Sequence, residues 1–135
     1  MVDRVDLDGV VIATPWRVHV PMAITAMEAG VTSGIDVGPA ASVQECHDLV
    51  ATVEETGEHC MLLENYCYKR HAMAVLEMVR DGPFGEAVHC QCDYLHHLRS
   101  MLDARPRGTA GHNHRKPNGD LYLTHGVGPI AKHPG

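Results

Sequence analysis

The chain has 135 residues, with 17 acidic against 11 basic side chains and a formal net charge of −6 with histidines neutral. That length holds one domain's worth of core, and the negative balance excludes a broad electrostatic footprint for nucleic acid, the basic run from Arg105 to Lys116 reading as a solvated loop. No apolar run reaches the ~20 residues that a bilayer span needs, and the N-terminal MVDRVDLD is charged where a signal peptide would be apolar, so neither a membrane partner nor processing is expected. Five cysteines, an odd number spread without a compact framework, suit reduced thiols in the cytoplasm rather than a disulfide scaffold. One Trp, one Phe and four Tyr are too few for a nucleic-acid stacking platform.

In chain order, the apolar β-branched run Val10-Val11-Ile12 predicts a strand covered on both faces, and it stops at Thr14-Pro15 because proline has no N–H for the ladder. From His19 to Ala29, Met22, Ala23, Ala26 and Met27 fall at helical spacing, with Gly30 as the stop. Residues 31–37 form a weak second strand ending in Asp36-Val37-Gly38-Pro39. Ser42-Val43-Gln44-Glu45 is a capping box and opens a helix over 43–56, with Val43, Cys46, Leu49, Val50 and Val53 as its buried stripe and Gly57 as its end. Cys60-Met61-Leu62-Leu63 is then a short buried strand leading into Glu64-Asn65. Strand, helix, strand, helix, strand predicts an α/β fold, a right-handed βαβαβ half of a doubly wound sheet.

A helix follows from Tyr68 to Arg80, and then a turn through Gly82-Pro83. From Glu86 to Tyr94 the alternation of Val88, Cys90, Cys92 and Tyr94 predicts a half-buried strand. That change of pattern sets a second domain off from the first near Tyr68. Beyond Arg99 the composition turns to Arg, Gly, Pro, His and Asn, an irregular loop as far as Gly119.

Eleven histidines invite a metal reading, but Cys90 and Cys92 have no second pair at zinc spacing, and structural zinc needs four converging ligands. His112-Asn113-His114 matches a nuclease signature only in its letters, and His96-His97 sit past a strand end where solvation suffices. No metal site is expected. A better constellation is the set of polar residues at strand ends or in the loops they face: Trp16, His19, Asp36, Asn65, Tyr94, Tyr122 and His125. In open parallel sheets ligands bind beyond the carboxyl ends of the strands. Tyr and His near one another can act as acid and base on a hydroxyl. Structural roles compete for several of them: Trp16 as a packing residue, His19 at a helix N-terminus, Asn65 as a strand end and Tyr122 as a core aromatic.

Ala13-Thr14-Pro15-Trp16 followed by His19 resembles the strand-end loop of the Gfo/Idh/MocA oxidoreductases, and among them that of glycoside hydrolase family 109, the NAD-dependent α-N-acetylgalactosaminidases. Similar segments recur in order along nearly the whole chain: Pro21-Met22-Ala23, Ala26 to Gly30, Glu45-Cys46, Cys60 to Asn65, Phe84-Gly85-Glu86, Tyr94 with His96 to Arg99, and Asn118 to Tyr122 with Thr124-His125-Gly126. The resemblance implies the latter half of a Rossmann NAD-binding domain over 1–67 and the beginning of an α+β substrate domain over 68–135. It implies NAD contacts from Trp16, Arg17, Val18, His19, Asp36, Val37 and Asn65, and catalytic contacts to a small-molecule sugar from Tyr94, Tyr122 and His125. NADP in place of NAD and assembly into a homo-oligomer stay open. The implied location is the cytoplasm, or the periplasm where an export signal precedes.

The implied mechanism oxidises a sugar hydroxyl, eliminates the glycosidic oxygen, adds water and returns the hydride, in place of the paired carboxylates of ordinary glycosidases. Ordinary members of the superfamily have Glu-Lys-Pro where this chain has Asp36-Val37-Gly38, and loss of that lysine favours the glycosidase branch. The chain departs from the family in having Asp36 for Glu and Leu123 for the proline between the Tyr and the Thr, and in lacking a clear Trp-Arg around Thr109-Ala110. The glycine-rich first βα unit that cradles a pyrophosphate does not occur in this stretch, so the chain is expected to be an internal fragment, with activity in doubt for it alone. Two alternatives remain at this level: a sugar or inositol dehydrogenase of the same superfamily, and a non-catalytic truncated product.

Overall fold

The computed structural model describes residues 6–38, 40–97 and 122–132, and the chain divides into two compact units between Leu63 and Glu64. The basic run, the His112-Asn113-His114 triplet, the Asn118 to Leu121 segment and Thr109-Ala110 lie outside the described residues.

The first unit alternates strand and helix: β1 (Gly9–Ile12), a 3₁₀ turn (Trp16–Val18), α1 (His19–Glu28), β2 (Thr32–Ile35), α2 (Val43–Thr56) and β3 (Cys60–Leu62). The strands are parallel in the order β1-β2-β3, with Ile12 beside Ile35 and Ile35 beside Leu62. Right-handed crossovers between consecutive neighbours put both helices on the same face of the sheet. There Ile12, Ala23 and Ile35 form the core cluster, with Val10, Leu49 and Cys60 packed against it, and Ala23 lets α1 approach closely because it carries only a methyl group. The α/β pattern expected from the sequence is therefore present in each of its five elements.

Burial departs from expectation in two places. Val11 and Met61 are 70% and 63% exposed, so among the described residues β1 and β3 are covered on one face only. The cause is the shared side of α1 and α2. The expected stripe of α2 is also only partly buried: Leu49 and Val53 are half-buried and Thr52 is buried, whereas Val43, Cys46 and Val50 are exposed. Three strands are about 10 Å across, and two helices side by side need about as much between their axes, which leaves part of the stripe without a strand beneath it. Cys46, Val50 and Val53 instead rim an apolar groove over Ile35 and Leu62.

The capping box that starts α2 forms. Ser42 Oγ accepts the Glu45 N–H at 3.2 Å, and the Glu45 carboxylate accepts the N–H of Ala41, one residue before the cap.

The second unit holds a 3₁₀ turn (Tyr66–Tyr68), α3 (Arg70–Arg80) and α4 (Leu123–Ala131), and α4 packs on the turn. The strand expected over 86–94 is corrected: residues 87–97 have no regular secondary structure, and Val88 and Leu95 are 90% and 88% exposed. A strand's hydrogen bonds go to its neighbours, and among the described residues none lies beside this segment to complete a ladder. Helix α4 was not among the expected elements; it forms although it contains Gly126, Gly128 and Pro129, residues of low helix propensity.

Replacing Ser42 by Ala removes the acceptor for the Glu45 N–H and should lower stability by about 1 kcal/mol. Urea denaturation of the two proteins, read by circular dichroism at equal slope, measures it; no change in midpoint would show that the cap contributes nothing.

Candidate functional site

At the carboxyl ends of β1 and β2 two rings tie the following loops together. His19 is fully buried, with Nε2 2.6 Å from the carbonyl oxygen of Thr14 and Nδ1 3.2 Å from that of Gly38. Carbonyl oxygens only accept, so a neutral imidazole can donate to one of them and only the imidazolium to both. Trp16 lies over Gly38, where an added Cβ would stand 2.6 Å from the indole carbons, and Gly38 has φ +79°. Only glycine satisfies both the turn and the contact.

Around this tie Arg17, Val18 and Asp36 are exposed and Trp16 and Val37 half-buried. The Asp36 carboxylate accepts the Val37 N–H at 2.9 Å. An exposed carboxylate and an exposed guanidinium beyond the ends of adjacent parallel strands, beside a glycine turn roofed by an indole, fit the hydroxyl and phosphate groups of a dinucleotide. His19 fits that role only from behind, since its ring nitrogens are spent on main-chain oxygens. In the second unit Asn65 is exposed, and its carbonyl accepts the Tyr68 N–H at 3.1 Å where the 3₁₀ turn begins.

The second unit brings Tyr94, Tyr122 and His125 into one cluster. The imidazole of His125 stacks near Tyr66 and Tyr122 with centroids 5.0 and 5.1 Å away, and Tyr94 meets it edge-on at 4.7 Å. Its Nδ1 lies 2.7 and 2.9 Å from the two oxygens of Glu64, and the two side chains are 8% and 9% exposed. Glu64 also accepts the Tyr66 N–H at 2.7 Å and a hydrogen bond from Thr124. Burial works to raise the Glu64 pKa, but the Tyr66 N–H, the Thr124 hydroxyl, and the hydrogen bond and charge of His125 together hold it below its ordinary 4.5.

Gly128 lies one turn on from His125, where a Cβ would stand 2.8 Å from Cys67 Sγ and 3.3 Å from Glu64 Cγ. This glycine, of low helix propensity, is what lets α4 approach the Glu64 side chain. Glu64, Tyr66 and Thr124 were not singled out from the sequence as site residues; the signal for Glu64 is a lone acid directly after an apolar strand.

A model of the glycosyl hydrolase 109 C-terminal domain matches residues 68–134. Over 97% of its length the chain is 43% identical to an alpha-N-acetylgalactosaminidase of Tannerella forsythia, of which it covers 32%. Along nearly its whole length the chain is thus similar to members of glycosyl hydrolase family 109. It spans about a third of the length of the curated relatives it matches. Among solved structures it is similar to a dehydrogenase from Chromobacterium violaceum, at 29% identity and a TM-score of 0.60 over 64% of this chain and 25% of that one. The WlbA dehydrogenase of Bordetella pertussis, solved with NADH and UDP-GlcNAcA, shares the fold at 22% identity and a TM-score of 0.60, again over 64% of this chain and 25% of that one. These neighbours are Rossmann-type oxidoreductases, so the chain has the α/β fold that its sequence pattern predicted. No helix among the described residues is long and apolar enough to cross a membrane.

Two outcomes follow from the geometry. Gly38→Ala should lose about 1 kcal/mol or more, from positive-φ strain and the indole contact, and shift the emission of Trp16, the chain's one tryptophan; unchanged emission and midpoint would remove the contact from solution. The folded Glu64 pKa is depressed, so its contribution to stability is present above the ordinary 4.5 and is lost as pH falls through the folded value. Denaturation midpoints of the native chain and Glu64→Gln should therefore converge as pH falls from the ordinary 4.5 through the depressed folded value; a constant gap would contradict the assignment.

Proposed function

We propose that this chain supplies part of the cofactor and substrate sites of an NAD-dependent glycosidase acting on α-N-acetylgalactosaminides. The observation that carries the reading is the cluster of Tyr94, Tyr122 and His125 around a buried carboxylate, in a chain 43% identical to an enzyme named for that activity. On this reading residues 1–67 are the latter half of an NAD-binding domain and 68–135 the start of the substrate domain. Trp16, Arg17, Val18, Asp36, Val37 and Asn65 hold NAD, with His19 fixing the loops that carry the first five. NAD, when bound, accepts a hydride from a sugar carbon and gives it back, so that the net reaction is hydrolysis and reduced cofactor does not accumulate.

The protein's part is proton handling and orientation. Tyr94 and Tyr122 present hydroxyls, and His125 an imidazole, that can hold or move a proton at a sugar hydroxyl or at the carbon beside it. Val37 is apolar where the resemblance has ordinary members of the superfamily place lysine, so the proton of the oxidised hydroxyl falls to Tyr94, Tyr122 or His125. Loss of that lysine favours the glycosidase over the dehydrogenase reading. The compartment we propose is the bacterial cytoplasm, or the periplasm behind an export signal.

Exchanging this chain for the matching third of the Tannerella forsythia enzyme and giving the chimera a nitrophenyl α-N-acetylgalactosaminide in deuterated water tests the reading. Expected are nitrophenol release, deuterium at the sugar carbon next to the oxidised one, and no net NADH. His125→Ala should cut turnover about 10²-fold or more while NAD binding is kept. Steady build-up of NADH, or product without deuterium at that carbon, rules out the proposed activity.

A further inference from the structure

Glu64 is the one buried carboxylate of the second unit's cluster, and the proposed chemistry leaves it without a task. Its side chain is 9% exposed, and both of its oxygens lie within 2.9 Å of a single atom, His125 Nδ1. An ionised carboxylate only accepts hydrogen bonds, so the proton between them sits on Nδ1. The carboxylate is held from two further directions, by the Tyr66 N–H at 2.7 Å and by a hydrogen bond from Thr124. It cannot swing off the ring without losing these. The stacked rings of Tyr66 and Tyr122, with the edge of Tyr94, restrict rotation of the imidazole plane.

We infer that Glu64 is the positioning residue of this site: by holding His125 Nδ1–H it fixes Nε2 as the atom that exchanges protons with the sugar. The inference rests on the reading of His125 as the proton-handling group. Without the carboxylate a histidine in an aromatic surround can flip or take the other tautomer, and then Nε2 carries a proton when a base is needed. The logic is that of any base oriented by a third group. A carboxylate that merely bonded α4 to the preceding turn would affect stability and leave the tautomer and the kinetic split alone.

The first test is nitrogen-15 NMR of the imidazoles in the 135-residue chain, with the His125 signals assigned by their loss in His125→Gln. Expected for the neutral ring is a protonated Nδ1 and an unprotonated Nε2. A protonated Nε2 in the native chain overturns the inference, whatever any variant does. The second test is Glu64→Gln in the chimera described above. Turnover should fall between about 10²- and 10⁴-fold while KM for the sugar stays within about twofold, and Glu64→Asp should recover part of the loss.

Equal loss in kcat for Gln and Asp variants, or an effect confined to KM, sinks the inference as well. Failure of the function reading looks different: a chimera that accumulates NADH while native His125 still carries its proton on Nδ1. Glycosidase activity with the proton on Nε2 removes the role of Glu64 and leaves the function standing.

Discussion

The second unit is organised by the need to supply hydrogen-bond partners to one largely buried carboxylate, that of Glu64. An unpaired buried charge costs several kcal/mol, and taking one partner from a buried pair costs about 3–5 kcal/mol, so the neighbours of Glu64 are constrained before any question of catalysis arises. Its acceptor sites are filled by the N–H of Tyr66, the side chain of Thr124 and the imidazole of His125. The first requires a tight turn directly after Asn65, which the 3₁₀ segment supplies. The other two are adjacent residues in the first turn of α4, so that helix must start at Leu123 and lie close to the turn. Closeness in turn requires glycine at position 128 against Cys67 and Glu64. One buried charge thus accounts for the turn, for the start of the helix and for the glycine within it.

The first unit solves a related problem with a ring in place of a carboxylate. The loops beyond β1 and β2 leave main-chain carbonyls of Thr14 and Gly38 facing inward, and His19, the first residue of α1, reaches both. Its dryness comes from the same packing that buries Val20 and Ala23 on the helix. With Trp16 lying on Gly38, the two loops are joined by side-chain contacts rather than by a ladder. Joined loops present Arg17 and Asp36 from a fixed base, and a ligand then has less ordering to do on arrival. The division of labour is physical: the buried ring holds and the exposed side chains are left to bind.

What the sequence revealed depended on the range of the signal. Ser42 with Glu45, Gly57 after a periodic run, and Pro15 after a β-branched run act within a few residues, and the elements they delimit stand where expected. The alternation of Val88, Cys90, Cys92 and Tyr94 is equally local, but a strand's stability is not; without a neighbour the segment stays irregular. Helix α4 was hidden for the opposite reason. Gly126, Gly128 and Pro129 argue against a helix until the surfaces they touch, the Cys92 carbonyl and the Cys67 sulfur, are known. Tyr94, Tyr122 and His125 were legible as chemistry-bearing residues at strand ends and loops, whereas Glu64, Tyr66 and Thr124 gain their roles only through contact with His125. Val43, Cys46 and Val50, three of the five residues in the stripe assigned to α2, were misread because periodicity shows which face of a helix is apolar and cannot show how wide the sheet beneath it is.

Two of the departures from the family pattern fall on described residues and can be weighed on the structure. Leu123 stands where the resemblance has proline, and it is the first residue of α4, with Tyr122 as the cap. Proline suits that position because the N–H it lacks would have no partner in the helix anyway. Leucine there breaks no hydrogen bond and is 55% exposed, so it displaces nothing from the cluster. What is lost is proline's stiffening of the unfolded chain, about 0.4–1 kcal/mol. The residues on either side, Tyr122 and His125, keep their 5.1 Å stacking.

Asp36 is the more consequential change. Its carboxylate accepts the N–H of Val37, a bond to the next residue that a short side chain makes readily and that anchors it to its own loop. A glutamate would reach one methylene further, toward whatever lies beyond the strand ends. The substitution therefore leaves the cluster around Glu64 and His125 untouched, and its effect falls on the loop beyond β2, where Asp36 is tied to the Val37 N–H.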